Sequence, residues 1–220
     1  GSEQYAHTTS WGISTRLIGA MIMAHADDDG MIMPPRVAPY HVAIIPIVRD
    51  DSDIGKIMSY VEGLANQFKS AGLRAEVDSR DERTPNKMWD AIKKGVPIRV
   101  EIGGREVDEG TLTFIRRDIG KDSKKTLSVA EFVKAAPGVL DDIHNAMLAR
   151  ARTFRDERIF AMKDLGEVEA FYKAEKIGFA KIDVGLLKDP AFERMKKDYG
   201  LTTRCMPLNE PGKVLVGRAY

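Results

Sequence analysis

A pair of hydroxyl residues followed by an arginine opens an apolar stretch near the start of the chain, and this combination could bind an anion. Ser14 and Thr15 precede Arg16, and the apolar run Leu17–Met23 follows directly. Hydroxyl side chains can cap the free N–H groups of a helix start, and an arginine beside those groups makes a site for a phosphate or a carboxylate. The alternative is a buried helix whose first turn carries one solvated arginine. The pattern alone leaves both interpretations open.

Trp11 and Gly12 stand just before this helix, where the sequence predicts the end of a strand. A glycine at such a place leaves the backbone open to a ligand. Both features argue against an ordinary core segment.

Basic residues outnumber acidic ones in the middle of the chain, where nine lysines and arginines stand against six acidic residues. The basic residues are Lys93, Lys94, Arg99, Arg105, Arg116, Arg117, Lys121, Lys124 and Lys125. Single-stranded bases can stack on guanidinium planes and present their edges for hydrogen bonds. Guanine offers two acceptors that suit arginine or lysine, while its exocyclic amine requires a carboxylate. The alternative is a solvated sheet edge protected by lysines, and composition alone does not decide between them.

The composition indicates a globular protein and excludes several classes. Of the 220 residues, 43% are apolar and 30% are charged, and the formal net charge is +1. No apolar stretch approaches the ~20 residues of a membrane helix, and the net charge does not by itself indicate a nucleic-acid partner. The single cysteine, Cys205, excludes an internal disulfide and a multi-cysteine metal site, and it fits a reducing cytoplasm.

The elements that position the first candidate site form a helix, a turn and a stiff connection. We expect the helix that begins at Ser14 to end near His25, followed by a turn at Asp29-Gly30 and a short strand, Met31–Met33. His25 and the acidic run Asp27–Asp29 could suggest a metal site, but a solvated, capped helix end is the favoured interpretation. Prolines then stiffen the chain and predict a domain boundary: Pro34, Pro35 and Pro39.

From residue 41 the pattern changes to α/β. Val42–Val48 is apolar throughout, as in a strand covered on both faces, and a helical apolar period then runs to Gly72. Leu73–Val77 alternates as a second strand, which predicts a parallel pair with a right-handed crossover. A proline-started helix at Thr84-Pro85 follows.

The second half of this region predicts antiparallel strands and a long helix. We expect strands at Pro97–Ile102 and Thr111–Arg117, joined by a loop that glycines frame, and a short edge strand after the lysine pair. A capping box at Ser128 and Glu131 starts the next helix, which we expect Pro137-Gly138 to interrupt and which resumes to about Met162.

The last segment of the sequence predicts two capped helices and three strands. The predicted caps are Asp164 and Asp189, and the predicted strands are Gly178–Asp183, Thr202–Met206 and Val214–Tyr220.

The N-terminal segment TSWGISTRLIGAMIM, with HADDDGMIMPPRVAP after it, resembles motif 3 of class II aminoacyl-tRNA synthetases, in the form found in prolyl-tRNA synthetases. The resemblance implies that Arg16 binds an ATP phosphate together with Ser14 and Thr15. It also implies that Trp11, Gly12 and Ser14 line the pocket for proline and its adenylate. In this class the chemistry is positioning and charge stabilisation, so no acid or base catalyst is expected.

The stretches DSRDERTP and KKGVPIRVEIGG are similar to the anticodon-binding domain shared by the prolyl, threonyl, histidyl and glycyl synthetases. The resemblance implies that anticodon contacts come from five residues: Arg80, Asp90, Arg99, Lys124 and Lys125. One position departs from the family, because Ile92 stands where a glutamate usually helps to read a guanine. Either Asp90 substitutes from the same helix or that acidic contact is lost.

The C-terminal segment, with TTRCMP and the final GRAY, resembles the last domain of archaeal and eukaryotic-like prolyl enzymes. Some relatives bind zinc there through four cysteines. Because a tetrahedral site needs four ligands and Cys205 stands alone, we expect no zinc and no other metal site. In relatives the terminal tyrosine, here Tyr220, reaches back toward the active site.

Together these resemblances predict an α/β protein with three parts: the end of a class II catalytic domain (1–39), a mixed-sheet anticodon-binding domain (40–150) and a small α+β domain (151–220). The implied full-length enzyme is a cytoplasmic homodimer that uses ATP with Mg²⁺, proline and tRNA(Pro), without membrane contact. The 220-residue chain alone is expected to be inactive. The alternative is a non-catalytic, synthetase-derived RNA-binding or accessory protein.

Overall fold

The computed structural model describes residues 5–6, 8–48 and 53–219. Tyr220, for which a role near the active site is predicted, lies outside the described residues. The chain forms two compact units, Gly1–Ala149 and Arg150–Tyr220. The expected three-part division of the sequence stays a prediction.

The first unit contains most of the elements. In chain order they are α1 (Arg16–His25), β1 (Val42–Pro46), α2 (Ile54–Ser70), β2 (Ala75–Val77), α3 (Thr84–Lys93), β3 (Ile98–Ile102), α4 (Gly104–Glu109), β4 (Thr111–Arg116), a 3₁₀ turn (Gly120–Ser123), β5 (Lys125–Ser128) and α5 (Val129–Asp156), which extends beyond residue 149.

A mixed five-stranded sheet organises this unit, with the strand order β2-β1-β3-β4-β5. β1 is parallel to both β2 and β3, so the predicted parallel pair is confirmed. β4 is antiparallel to β3, and β5 is antiparallel to β4 at the edge of the sheet. The sheet is therefore mostly parallel on one side and antiparallel on the side that carries the basic residues.

One face of the sheet forms the hydrophobic core. Alternate residues of β1 and β3 are fully buried there and belong to one cluster with α2 and α5, whose Phe68 and Phe132 rings lie 5.2 Å apart. On the other face, Ala43 and Ile45 of β1 lie beside Ala91 of α3. The residues of β3 that point to this second face are polar, and they carry the candidate site.

Helix α5 corrects one prediction, because it runs through Pro137 without interruption. A proline inside a helix removes a backbone hydrogen bond and usually breaks the helix. Here one stripe of buried residues continues at helical spacing on both sides of the proline and keeps the helix against the sheet: Phe132, Ala136, Leu140, Ile143 and Met147. The capping box at its start is confirmed, since Glu131 Oε2 accepts from Ser128 N at 3.0 Å.

Two further predictions of local structure were wrong. Residues 104–109, expected to be a loop, form the short helix α4, which ends at Gly110 in the left-handed conformation (φ 65°). Residues 31–33, expected to be a strand, make only two backbone bonds, from Met31 N to Lys93 O and from Met33 N to Gly95 O, each 3.0 Å. Residues 31–33 lie beside the C-terminal end of α3, and a helix end offers no strand with which they could pair.

The proline-rich connection packs on the first unit. Ile32 belongs to its core cluster, and Ala38 is buried. Arg74 Nη2 donates to the carbonyl oxygens of Pro35 (3.1 Å) and Ala38 (2.9 Å). Gly95 (φ 70°) lies so close that a Cβ there would be 2.4 Å from Met31 O, so this contact requires glycine.

Helix α1 has none of its ten residues buried, and its N-cap residue Thr15 makes no side-chain cap bond. The strand expected to end at Trp11 is also absent: residues 8–14 form no strand, and no described strand pairs with them.

The second unit is a four-stranded sheet with two helices. Its elements are β6 (Ile159–Ala161), α6 (Leu165–Lys173), β7 (Phe179–Asp183), a 3₁₀ turn (Val184–Lys188), α7 (Pro190–Tyr199), β8 (Leu201–Thr203) and β9 (Lys213–Arg218), with the strand order β6-β7-β9-β8. The predicted caps are confirmed, since Asp164 accepts from Glu167 N and Asp189 from Ala191 N. The buried Tyr172 hydroxyl donates to Val216 O at 2.8 Å and so ties α6 to the sheet.

Candidate nucleic-acid interface

A buried carboxylate joins two of the predicted site residues on the polar face of the first sheet. Arg99 and Glu101 project to the same face because residues two apart on a strand share a face. Arg99 Nε donates to Glu101 Oε1 at 3.1 Å, and Arg99 Nη2 lies 3.0 Å from the same oxygen. Lys124 Nζ lies 3.5 Å from Glu101 Oε2. Glu101 therefore holds a guanidinium and an ammonium group side by side, and we call these three residues the Glu101 cluster.

The neighbouring strand residues on this face are also polar. Thr113 is in register with Glu101, and its hydroxyl lies 2.9 Å from that of Thr126 on the edge strand. Lys125, by contrast, is in register with Phe114, whose ring belongs to the core face. Directly opposed residues of an antiparallel pair share a face, so the structure separates Lys125 from the cluster that Lys124 joins.

The other two predicted contacts, Arg80 and Asp90, form a network of their own at the end of α3. Arg80 donates to Asp78 from Nε (2.9 Å) and Nη2 (2.6 Å), and to Asp90 Oδ2 from Nη1 (2.9 Å). Lys93 Nζ lies 2.9 Å from Asp90 Oδ1. The hydrogen bonds from Lys93 and Arg80 lower the pKa of Asp90. Each oxygen of Asp90 therefore already accepts a bond.

Ile92, which stands at the usual glutamate position, contributes a backbone contact. Its carbonyl oxygen accepts from Arg117 Nε at 3.0 Å. The same guanidinium donates to Asp27 Oδ2 (2.8 Å) and Oδ1 (2.5 Å). The acidic turn after α1 is thus bound to an arginine, and no group of three metal-binding side chains occurs among the residues that the structure describes.

A cavity of about 840 Å³ opens beside the Glu101 cluster, at the carboxyl ends of β1 and β3. Its lining includes Glu101, Thr113 and Lys124 together with α4 and the start of α2. Charged groups of both signs surround it: Asp53, Lys56, Arg105, Glu106, Asp108 and Glu109. Ligands of open α/β sheets bind outside the carboxyl ends of their strands, and a base edge carries both donors and acceptors.

Sequence reasoning did not place the α4 residues at this site. Arg105 Nη2 donates to Glu106 Oε1 at 3.1 Å, and Glu106 Oε2 accepts from Gly103 N at 3.0 Å. Burial acts to raise the pKa of Glu106, but the N–H groups of Gly103 and Glu106 and the Arg105 guanidinium outweigh it, so that this pKa lies below its ordinary value. The sequence feature that could have placed them there is the charged pair Arg105-Glu106, which comes shortly after β3, the strand that carries Arg99.

The N-terminal candidates lie together on one exposed segment. Trp11 is almost fully exposed, and Gly12, Ser14, Thr15 and Arg16 are exposed as well. Within the described part of the chain, no acidic group pairs with Arg16. Among the described residues, no other helix or strand covers these side chains.

Comparison with known proteins links this geometry to a family. Residues 41–137, which include the Glu101 cluster, match the family described as anticodon binding domain. The proline–tRNA ligase of Bdellovibrio bacteriovorus is 37% identical over 221 residues, covering 96% of this chain and 43% of that protein. Proline–tRNA ligase 2 of Anaeromyxobacter dehalogenans is 38% identical over 97% of this chain and 44% of its own length.

A crystal structure of prolyl-tRNA synthetase from Cryptosporidium parvum, in complex with L-proline and AMP, superposes on the whole chain with a TM-score of 0.86 and 28% sequence identity. Over its length the chain is similar to the C-terminal part of prolyl-tRNA synthetases. It covers 49% of that synthetase chain, and it spans less than half the length of the curated prolyl relatives above. In the described residues, no helix has the length and apolar character needed to cross a bilayer.

Proposed function

We propose that this chain is the C-terminal part of an enzyme that activates proline with ATP and transfers the prolyl group to tRNA(Pro). Its own contribution is recognition of the anticodon. The observation that carries this proposal is the Glu101 cluster, which lies inside the segment that matches the anticodon binding domain. As in the family, the full-length enzyme would be a cytoplasmic homodimer that uses Mg²⁺ with its ATP.

Arg99 and Lys124 have the chemistry that guanine recognition requires. The major-groove edge of guanine presents two acceptors, and arginine or lysine is the usual donor to both. The cavity beside them also contains Arg105 and Glu106, a cation and a carboxylate that pair with each other. Splayed anticodon bases expose both edges, which paired bases do not.

Arg80, Asp90 and Lys125 belong to the proposal as a second group of contacts. Arg80 and Asp90 are joined by a 2.9 Å bond on the side of the sheet that α3 covers. We assign Arg80 to the RNA backbone at the flank of the anticodon, with Asp90 holding its guanidinium in place. Lys125 lies outside the Glu101 cluster. We assign it a phosphate contact at the sheet edge, since lysine binds phosphate as a point charge.

The exposed N-terminal segment carries the proposed substrate residues. Arg16, Ser14 and Thr15 would bind the ATP phosphates, and Trp11 and Gly12 would line the proline and adenylate pocket with Ser14. Such residues act by positioning and charge stabilisation. We assign no zinc to the last domain, because its single cysteine supplies one of the four ligands that a structural site needs.

Substitution of the two cations tests the proposal. Arg99→Ala and Lys124→Ala should each weaken binding of a tRNA(Pro) anticodon stem-loop by about 5- to 150-fold, the range for losing one base contact. Lys124→Ala is the cleaner variant because this side chain is 58% exposed. Lys69→Ala, at an exposed position of α2, is the control and should bind like the wild type. Equal affinities for all three variants would show a solvated sheet edge instead of an RNA reader.

A further inference from the structure

Glu101 is an acidic side chain with only 9% of its surface exposed, on the face to which we assign RNA binding. Among the described residues, its carboxylate pairs with the two cations of the cluster, Arg99 and Lys124. Taking a carboxylate out of water is costly, and a buried ion pair is on average no more stabilising than an apolar pair of the same shape. An acidic residue also repels the phosphates of a nucleic acid. Its presence at the centre of this site therefore needs a reason other than stability or RNA affinity.

The hydrogen bonds of the cluster indicate that reason. An arginine has five N–H donors in one rigid plane, and Arg99 directs Nε and Nη2 at Glu101. The orientation of the guanidinium plane is then fixed, and Nη1 is the nitrogen that is not directed at Glu101. Lys124 Nζ lies near the second oxygen, so the same carboxylate sets the spacing of both cations. Without Glu101, the positive charges of Arg99 and Lys124 would repel each other.

The other carboxylates nearby are committed elsewhere. The two oxygens of Asp90 face Arg80 and Lys93. Glu106 accepts from Gly103 N and from Arg105. Glu101 is therefore the carboxylate, among the described residues, that bonds Arg99.

We propose that Glu101 is a positioning residue that sets the base selectivity of Arg99 and Lys124. It aims both cations at the acceptor edge of an anticodon guanine, and by cancelling one positive charge it limits binding of RNA with the wrong anticodon. This inference rests on the proposed anticodon-binding function.

The test compares two stem-loops and two carboxylates. Dissociation constants of the 220-residue chain are measured for the tRNA(Pro) anticodon stem-loop and for the same stem-loop with adenines in place of the anticodon guanines. Adenine presents a donor where guanine presents its O6 acceptor. The selectivity is the ratio of the two constants. It is measured for the wild type, for Glu101→Gln and for Asp118→Asn.

Asp118 is a matched control. Its side chain is 5% exposed and accepts from Arg116 Nε (3.0 Å) and Nη2 (2.8 Å), so it is also a buried carboxylate paired with an arginine. Arg116 is in register with Ile98, whose side chain belongs to the core face. Asp118→Asn thus breaks a similar ion pair away from the Glu101 cluster.

We expect Glu101→Gln to reduce the selectivity by about tenfold while affinity for the adenine stem-loop stays the same or rises. Asp118→Asn should keep the wild-type ratio. A partly unfolded variant binds both RNAs less well by the same factor, so the ratio is unaffected by lost stability. If Glu101→Gln does not fold, Glu101→Asp decides: its carboxylate is one methylene too short to reach both cations, so selectivity should fall while adenine binding stays weak.

Wild-type selectivity in the Glu101 variants would overturn the role of Glu101 and leave the proposed function intact. A wild-type chain that binds neither stem-loop, or both equally, would overturn the proposed function and this inference with it.

Discussion

Arg117 joins the N-terminal segment to the end of α3 through one guanidinium group. It donates to both oxygens of Asp27 and to the carbonyl oxygen of Ile92. The side chain of Arg117 is largely buried, whereas that of Asp27 is 43% exposed. A bidentate arginine–carboxylate pair is among the stronger surface interactions. This contact fixes the turn after α1 on the first unit.

Asp27→Asn should therefore destabilise the first unit in a pH-dependent way. The hydrogen bonds from Arg117 lower the pKa of Asp27 below its ordinary value of 3.8. A carboxylate with a lowered folded-state pKa stabilises the fold above its unfolded pKa, and the contribution is lost as pH falls through the folded value. Because Asp27 is partly exposed, solvent screening leaves about 1 kcal/mol at pH 7.

Urea unfolding at neutral pH and below the ordinary aspartate range measures this difference. The free energy of unfolding of Asp27→Asn should fall at neutral pH and converge with the wild type in acid. Asp28→Asn, which changes the exposed neighbouring aspartate, is the control and should stay within about 0.5 kcal/mol of the wild type. An Asp27→Asn variant as stable as the wild type at neutral pH would contradict the role of this pair.

Sequence reasoning at the residue scale named Arg99 and Lys124 as candidates but did not predict the arrangement that joins them. The two are 25 positions apart, and only the register of β3, β4 and β5 brings both to Glu101. The adjacent lysines looked equivalent, yet strand alternation sends Lys125 to the face of Phe114. Arg105 and Glu106 were not placed at the site because their helix was expected to be a loop.

At the scale of elements, α5 shows that packing can override a helix breaker. Proline in a helix interior costs ~3 kcal/mol relative to alanine. The buried stripe on both sides of Pro137 exceeds this cost, since each fully buried large apolar side chain contributes roughly 1.5–3 kcal/mol. The exposed position of Pro137 means that its ring takes no part in the core.

Pro137→Ala should raise the free energy of unfolding by about 2 kcal/mol, because it restores a backbone donor while giving up some rigidity of the unfolded chain. Gly138→Ala is the matched control in the same turn: a Cβ there meets nothing within 4 Å. It should gain only about 0.5–1 kcal/mol. Thermal or urea unfolding of both variants compares them, and a Pro137→Ala gain no larger than that of Gly138→Ala would show that the helix bears no strain at the proline.

Periodicity predicted the elements that are long enough to show a period or that end in caps. It succeeded for β1, α2, both helices of the second unit and the start of α5, but not for the predicted interruption of α5 at Pro137. It failed for α4, whose six residues between glycines are too few to show a helical repeat. It also failed for residues 8–14 and 31–33, where a strand-like sequence lacks a partner strand in the described residues.

At the scale of the whole molecule, α1 is the feature that the chain does not explain by itself. Its apolar side chains are exposed: Leu17, Ile18, Ile22 and Met23. Covering each would contribute roughly 1.5–3 kcal/mol. The relatives are about twice as long as the part of them that this chain matches. Under the proposed function, catalysis belongs to the full-length enzyme and anticodon recognition to the part described above.

The most direct test of this account uses intact RNA. Dissociation constants of the wild-type chain are measured by fluorescence anisotropy, at about 0.15 M salt, for a tRNA(Pro) transcript and for the same transcript with adenines in place of the anticodon guanines. A third transcript with a changed acceptor-stem base pair is the control. We expect the anticodon change to weaken binding by about tenfold or more and the acceptor-stem change to have no effect. Equal affinity for the first two transcripts would contradict the assignment of anticodon recognition to this chain.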